Sequence, residues 1–151
     1  MSGRTFVDTN VFVYLFDAGA PEKKATAQRL LDAGAEAGRL VLSTQVLEEF
    51  YVTVTRKLAN PLSEDDAQEA TRALAGLPVV QVDPEMIDAA ISLSRHQSLS
   101  FWDALVVRAA VAAGCERLLS EDLQDGQEIE GVRVENPFLT PRSFFAPGRP
   151  S

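Results

Sequence analysis

At 151 residues the chain is the size of one ordinary domain and long enough to bury a core of its own. Hydrophobic residues make up 46% and charged residues 24%, the balance of a soluble globular protein, and the apolar runs are too short to cross a bilayer. A formal charge of −8 argues against a tight, non-specific nucleic-acid binder, because phosphate binding draws on a basic surface; it still admits a nuclease whose bound cations supply positive charge, and it suits a basic protein partner.

Residues 5–7 predict a short buried strand closing on Asp8-Thr9-Asn10, whose small polar side chains suit a helix cap. The helix that follows, residues 11–16, is apolar nearly all round, which calls for deep burial or a partner's cover. Residues 22–37 have helical composition with Ala27, Leu30 and Leu31 on one stripe, and Gly38 ends them. Residues 40–42 form the second strand; from Ser43 or Thr44 a helix carries Val46, Leu47, Phe50, Val54 and Leu58 at helical spacing. Asn60-Pro61 breaks it, and Ser63-Glu64-Asp65-Asp66 opens the next with a capping-box pattern. Residues 78–82 predict a third strand, and Asp83-Pro84-Glu85 starts a helix through Ser94. Ser100-Phe101-Trp102-Asp103 opens another, which Gly114 ends; residues 115–119 and 132–134 are the fourth and fifth strands. Half of the eight prolines lie from Pro137 to Pro150, so one domain over residues 1–140 is followed by an irregular tail over 141–151.

Strands alternating with helices predict a three-layer α/β/α sandwich around a parallel sheet of four to five strands, with right-handed crossovers. Ligands bind such sheets at the carboxyl ends of the strands. Asp8 and Asp122 follow strands one and four, the Asp103 helix begins at the same edge, and Glu49 lies two turns into a helix that also begins there. Four carboxylates at one edge point to a site for a hard divalent cation, Mg²⁺ or Mn²⁺, which prefers oxygen ligands. Each acid also has a plainer explanation: Asp8 as an N-cap, Asp103 as the far half of a capping box from Ser100, Asp122 as a turn former, Glu49 as a solvated helix residue. Periodicity does not choose between Glu48 and Glu49. The only histidine, His96, has no partner motif, Cys115 reads as core, and Trp102 reads as packing, with base stacking as the alternative. The single cysteine and the absence of a secretion signal predict a cytoplasmic protein without membrane attachment.

The chain resembles the PIN domain, and within it the toxin nucleases of bacterial toxin–antitoxin pairs, through Phe6-Val7-Asp8-Thr9-Asn10, Ser43-Thr44-Gln45-Val46-Leu47-Glu48-Glu49-Phe50-Tyr51, Ser100-Phe101-Trp102-Asp103-Ala104 and Ser120-Glu121-Asp122-Leu123, in family order. In that family the second acid falls six residues after the serine ending strand two, which implies Glu49 rather than Glu48. The resemblance implies that Asp8, Glu49, Asp103 and Asp122 hold Mg²⁺ or Mn²⁺ and that the reaction is endonucleolytic cleavage of RNA, with water activated by the metal. Asn10 and Ser120 then orient ligands or water, or serve only as local caps. Arg56, one heptad past Glu49, is a phosphate contact or, more simply, a solvated arginine. The resemblance further implies self-association to a homodimer and an antitoxin whose C-terminal segment crosses the helices that contain Val11, Phe12, Tyr14 and Phe16, and Phe50 and Tyr51, with a basic side chain aimed at the acids.

Other functions share parts of this pattern: an RNA-processing nuclease of the same family without an antitoxin, a non-enzymatic module, and a receiver-type Mg²⁺ domain. A receiver requires an acid pair after strand one and a lysine after strand five, where this chain has Asp8-Thr9 and Arg133. A haloacid-type phosphatase requires a second aspartate at the position of Asn10.

Overall fold

The computed structural model describes residues 3–139; the domain limit at residue 140 and the tail over 141–151 lie outside the described residues. In chain order come β1 (Arg4–Val7), α1 (Thr9–Val13) running into a 3₁₀ turn (Tyr14–Phe16), α2 (Pro21–Glu36), β2 (Leu40–Ser43), α3 (Thr44–Arg56), α4 (Glu64–Leu74), β3 (Val79–Val80), α5 (Pro84–His96), α6 (Phe101–Ala112), β4 (Cys115–Leu119), β5 (Glu128–Ile129) and β6 (Val132–Glu135).

The strands form one sheet in the order β3-β2-β1-β4-β6-β5. β1 pairs in parallel with β2 and β4, β2 with β3, and β4 with β6, whereas β5 runs antiparallel to β6. From β1 the chain steps outward through β2 to β3, then returns to β4 on the other side of β1. Right-handed crossovers therefore put the helices before β3 on one face and α5 and α6 on the other, giving three layers. The reversal also makes the gap between the carboxyl ends of β1 and β4 a switch point, where no crossover helix fills the edge and a ligand has room.

Phe6, Val7, Leu42, Leu118 and Leu119 in the central strands are fully buried, as expected of strands covered on both faces. Polar side chains cap the helices: Ser43 accepts from Val46 N, Ser63 from Asp66 N, Asp83 from Met86 N and Ser100 from Asp103 N.

Several details depart from the sequence expectations. The sheet has six strands and is mixed: β5, only two residues long, returns through Glu130 (φ 52°) and Gly131 (φ 84°), the two positive φ values that a tight hairpin requires. A two-residue strand joined by a glutamate–glycine turn has no alternation to detect. β3 shrinks to Val79–Val80 at the sheet edge, because Val82 N bonds the Thr44 hydroxyl instead of a neighbouring strand. The helix expected over residues 11–16 tightens to a 3₁₀ turn after Val13. No helix among the described residues is long and apolar enough to cross a membrane.

Val11, Phe12 and Phe50 lie in the core, so of the two alternatives for the apolar helix over residues 11–16 its first turn takes burial; Tyr14, Phe16 and Tyr51 are partly exposed, and on α3 it is Val52, 44% exposed, that faces outward. Phe50→Ala removes a fully buried ring that packs edge-on against Phe16. It should cost about 3–5 kcal/mol in urea unfolding, against a change of about 0.5 kcal/mol or less for Val52→Ala.

Candidate functional site

The switch point gathers acids from four elements. Asp8 leaves the end of β1 and caps α1: Thr9 N donates to its Oδ1 at 2.8 Å, and the buried Ser120 hydroxyl donates to its Oδ2 at 2.7 Å. Asn10 spans the gap, with Nδ2 donating to Asp122 Oδ2 at 3.1 Å and to Asp8 Oδ2 at 3.5 Å, while its Oδ1 accepts from Glu121 N at 3.1 Å. Ser120 Oγ in turn accepts from Asp122 N. Asn10 and Ser120 are therefore the two neutral groups that knit the end of β1 to the turn after β4.

Glu49 is gripped on both carboxylate oxygens, by the Thr9 hydroxyl at 3.0 Å and by Gln45 Nε2 at 3.2 Å. Glu48 is the more exposed of the pair and lines the cleft beside it. Gln45 Nε2 also donates to the Trp102 carbonyl at 3.2 Å, tying α3 to the first turn of α6, where Asp103 sits. Both of those partners are acceptors, which fixes the orientation of the amide. Gln45 is 4% exposed, and its Oε1 is buried without a hydrogen-bond partner, a net cost of the kind proteins tolerate near a site.

The electrostatics record the crowding. Burial lifts Asp8, 4% exposed, from its ordinary 3.8 to about 7; the Ser120 and Thr9 hydrogen bonds oppose the rise, and the charges of Asp122 and Glu49 add to it. Burial raises Asp103 as well, against its hydrogen bond with Ser100, and Asp122 and Glu49 push it further. Asp8 and Asp103 thus feel the same two neighbours. Among the described residues no three His, Cys, Asp or Glu side chains close into a ready-made cage.

Beside the acids opens a cleft of about 570 Å³ between α1, α3 and α6, lined by Asn10, Tyr14, Glu49, Lys57, Trp102 and Asp122 among others. Beyond it, Tyr14 Oη donates to Glu121 at 2.6 Å, and Lys23 pairs with the same carboxylate while lying over the Tyr14 and Phe138 rings. This group anchors the turn that carries Ser120 and Asp122.

Residues 5–124 match the family model of the PIN domain. The chain belongs to that family. Its fold is similar to that of Mycobacterium tuberculosis VapC20, a toxin that cleaves the sarcin–ricin loop, at 24% identity and a TM-score of 0.63 over 78% of this chain and 89% of that one. It is also similar to a toxin–antitoxin complex from Klebsiella pneumoniae, at 19% identity and a TM-score of 0.64 over 92% and 98%. A third likeness is to VapBC2 from Rickettsia felis bound to a fragment of its promoter DNA, at 15% identity and a TM-score of 0.62 over 87% and 97%. At these identities the likeness is one of fold. No curated protein gives a significant match.

In this PIN domain Asp8, Glu49, Asp103 and Asp122 share one edge, with Asn10 and Ser120 between them. Arg56 is exposed at the end of α3, and Lys57, not Arg56, lines the cleft. Trp102, expected to pack, is instead 60% exposed. The roles of Thr9 and Gln45 escaped the sequence because a neutral donor beside an acid has no periodic or charge signature; only the Glu49 carboxylate between them reveals it.

Folding holds a proton on Asp8 that the unfolded chain releases near 3.8, so without divalent cations this carboxyl lowers stability progressively as pH rises from there to about 7. Asp8→Asn should therefore stabilise the metal-free chain increasingly as pH rises from about 4 to about 7, and by little near pH 4. Thermal melts of both proteins across that range check the difference, and a gap that does not widen with pH contradicts it.

Proposed function

We propose that this PIN domain is a divalent-metal-dependent endoribonuclease that hydrolyses RNA phosphodiester bonds, as the toxin of a toxin–antitoxin pair. The observation that carries the proposal is the convergence of Asp8, Glu49, Asp103 and Asp122 on the switch point of a PIN-domain sheet. A chain does not crowd acids against burial and mutual repulsion without a compensating charge. The donor set is all oxygen, which fits Mg²⁺ or Mn²⁺; Mg²⁺ retains several waters and needs only one or two carboxylates, so a closed cage of acids is not required.

In this reading Asp8, Asp103 and Asp122 hold the cation, with Glu49 as a direct or water-bridged ligand. What the cation supplies when bound is positive charge at the reacting phosphate and a more acidic water. The remaining work belongs to the chain. Ser120 and Thr9 N fix both oxygens of Asp8, Asn10 keeps Asp122 at a set offset from it, and Thr9 and Gln45 leave Glu49 little rotational freedom. The net charge of −8 steers a basic antitoxin segment towards the same edge, where Tyr14 and Val52 offer partly exposed apolar contact, and the toxin self-associates as a homodimer.

Wild-type chain should cleave single-stranded RNA with Mg²⁺ or Mn²⁺ and not in excess chelator. Asn10→Ala or Ser120→Ala should lower activity by about 10- to 100-fold, and Asp8→Asn or Asp103→Asn further, with Mn²⁺ binding weakened in calorimetry. Undiminished cleavage by Asp8→Asn would falsify the metal mechanism, and loss of activity in Glu48→Gln but not in Glu49→Gln would reassign the fourth acid. Light scattering and co-purification test the partners: a strict monomer that captures no basic protein favours an RNA-processing nuclease over a toxin.

A further inference from the structure

An acidic nuclease has an affinity problem that the cleft itself frames. The body carries −8, and the cleft is lined by Asp17, Glu48, Glu49 and Asp122 against Lys57, its one lining cation among the described residues. Phosphate contacts ordinarily supply most of the affinity for nucleic acid, and here the protein's own charges work against them. Another source of binding is needed for a strand to stay long enough to be cut.

We propose that Trp102 is the base-stacking platform of the cleft, seating one nucleobase of single-stranded RNA beside the acids; this rests on the nuclease reading above. The indole is 60% exposed, the largest exposed ring in the described chain, and it lines the cleft next to Asp103 in the first turn of α6. Tryptophan has little reason to be left in water on a soluble surface, since burying it is worth more than burying any other side chain. Its backbone is nevertheless held, and its ring has one aromatic neighbour among the described residues. Phe101 meets it edge-on with centroids 5.0 Å apart, and its carbonyl accepts from the buried Gln45 amide, which also holds Glu49. A platform set in advance loses little entropy when a base arrives. Because every base has a π face, the platform selects for unpaired strands over duplexes and only weakly among sequences. Lys57, at the C-terminal end of α3, is placed to receive a phosphate of the same strand.

Tryptophan fluorescence reports on this residue alone, because the chain has a single tryptophan. Titrating a short oligoadenylate into full-length Asp8→Asn in chelator, where nothing is cleaved, should quench it. An abasic oligonucleotide of equal length should not. Trp102→Ala should weaken oligoadenylate binding by about 5- to 100-fold and raise KM for RNA cleavage in parallel, while Trp102→Phe recovers most of the loss. The slope of log affinity against log salt should stay at about −0.7, the value for a single phosphate contact. Absent quenching, or equal affinity in Trp102→Ala, overturns the platform even if the wild type cleaves RNA. Quenching by oligoadenylate in a chain that fails to cleave RNA with Mn²⁺ would sink the nuclease reading and leave the platform standing. A response to a basic partner protein with none to RNA would make Trp102 a protein contact and overturn the proposal.

Discussion

Burial of the Asp8 carboxyl beside two further acids is the constraint around which this molecule is arranged. Asp8 sits at the end of the central strand with almost no access to water, within reach of the charges of Asp122 and Glu49. Such a cluster costs folding energy unless protons or cations neutralise it. The chain keeps it in place with neutral donors: the Thr9 amide and hydroxyl, Asn10, Gln45 and Ser120. None of these adds positive charge, so the negative potential is preserved while the geometry is fixed.

The fold supplies the energy for this arrangement elsewhere. Strands β1, β2 and β4 are buried on both faces, and α3 seals the core with Val46, Phe50 and Val54 while presenting Gln45 and Glu49 to the cleft. Asp8 and Ser100 show how little separates structure from site, for each is an N-cap and each helps place an acid. The cap and the site are one device, since the helix start that satisfies a backbone amide also fixes where a carboxylate points.

Lys23, Glu121 and Tyr14 form a second tier. Burial and the neighbouring Glu121 carboxylate hold the Tyr14 phenol above its ordinary value, so it remains a donor to that carboxylate throughout the physiological range. With Lys23 on the other oxygen, the turn after β4 is pinned from the 3₁₀ turn and from α2 together. Exposed ion pairs contribute little stability, so the value of this one lies in position.

The sequence by itself determined the alternation of strands and helices, the caps at Ser43, Ser63, Asp83 and Ser100, the parallel core strands and the edge on which the four acids fall, because these follow from local periodicity, capping chemistry and crossover handedness. Between Glu48 and Glu49 periodicity is silent, and it is the resemblance to the PIN family that points to Glu49. What only the tertiary structure decided were contacts between residues far apart in the chain. β5 was invisible because two residues have no pattern. Whether Val11 and Phe12 meet a partner or the protein's own core is open in the sequence, because an all-round apolar helix looks the same under either cover; the structure buries both. For Trp102 the sequence leaves packing and base stacking both open and favours packing, because hydrophobicity predicts burial on average; which first-turn residue faces a cleft depends on how α6 packs against α3. Arg56 is exposed, in keeping with its simpler reading as a solvated arginine, and that Lys57 lines the cleft depends on how α3 packs. Gln45 and Thr9 went unnoticed because a neutral donor gains meaning only from the acceptor that folding brings to it.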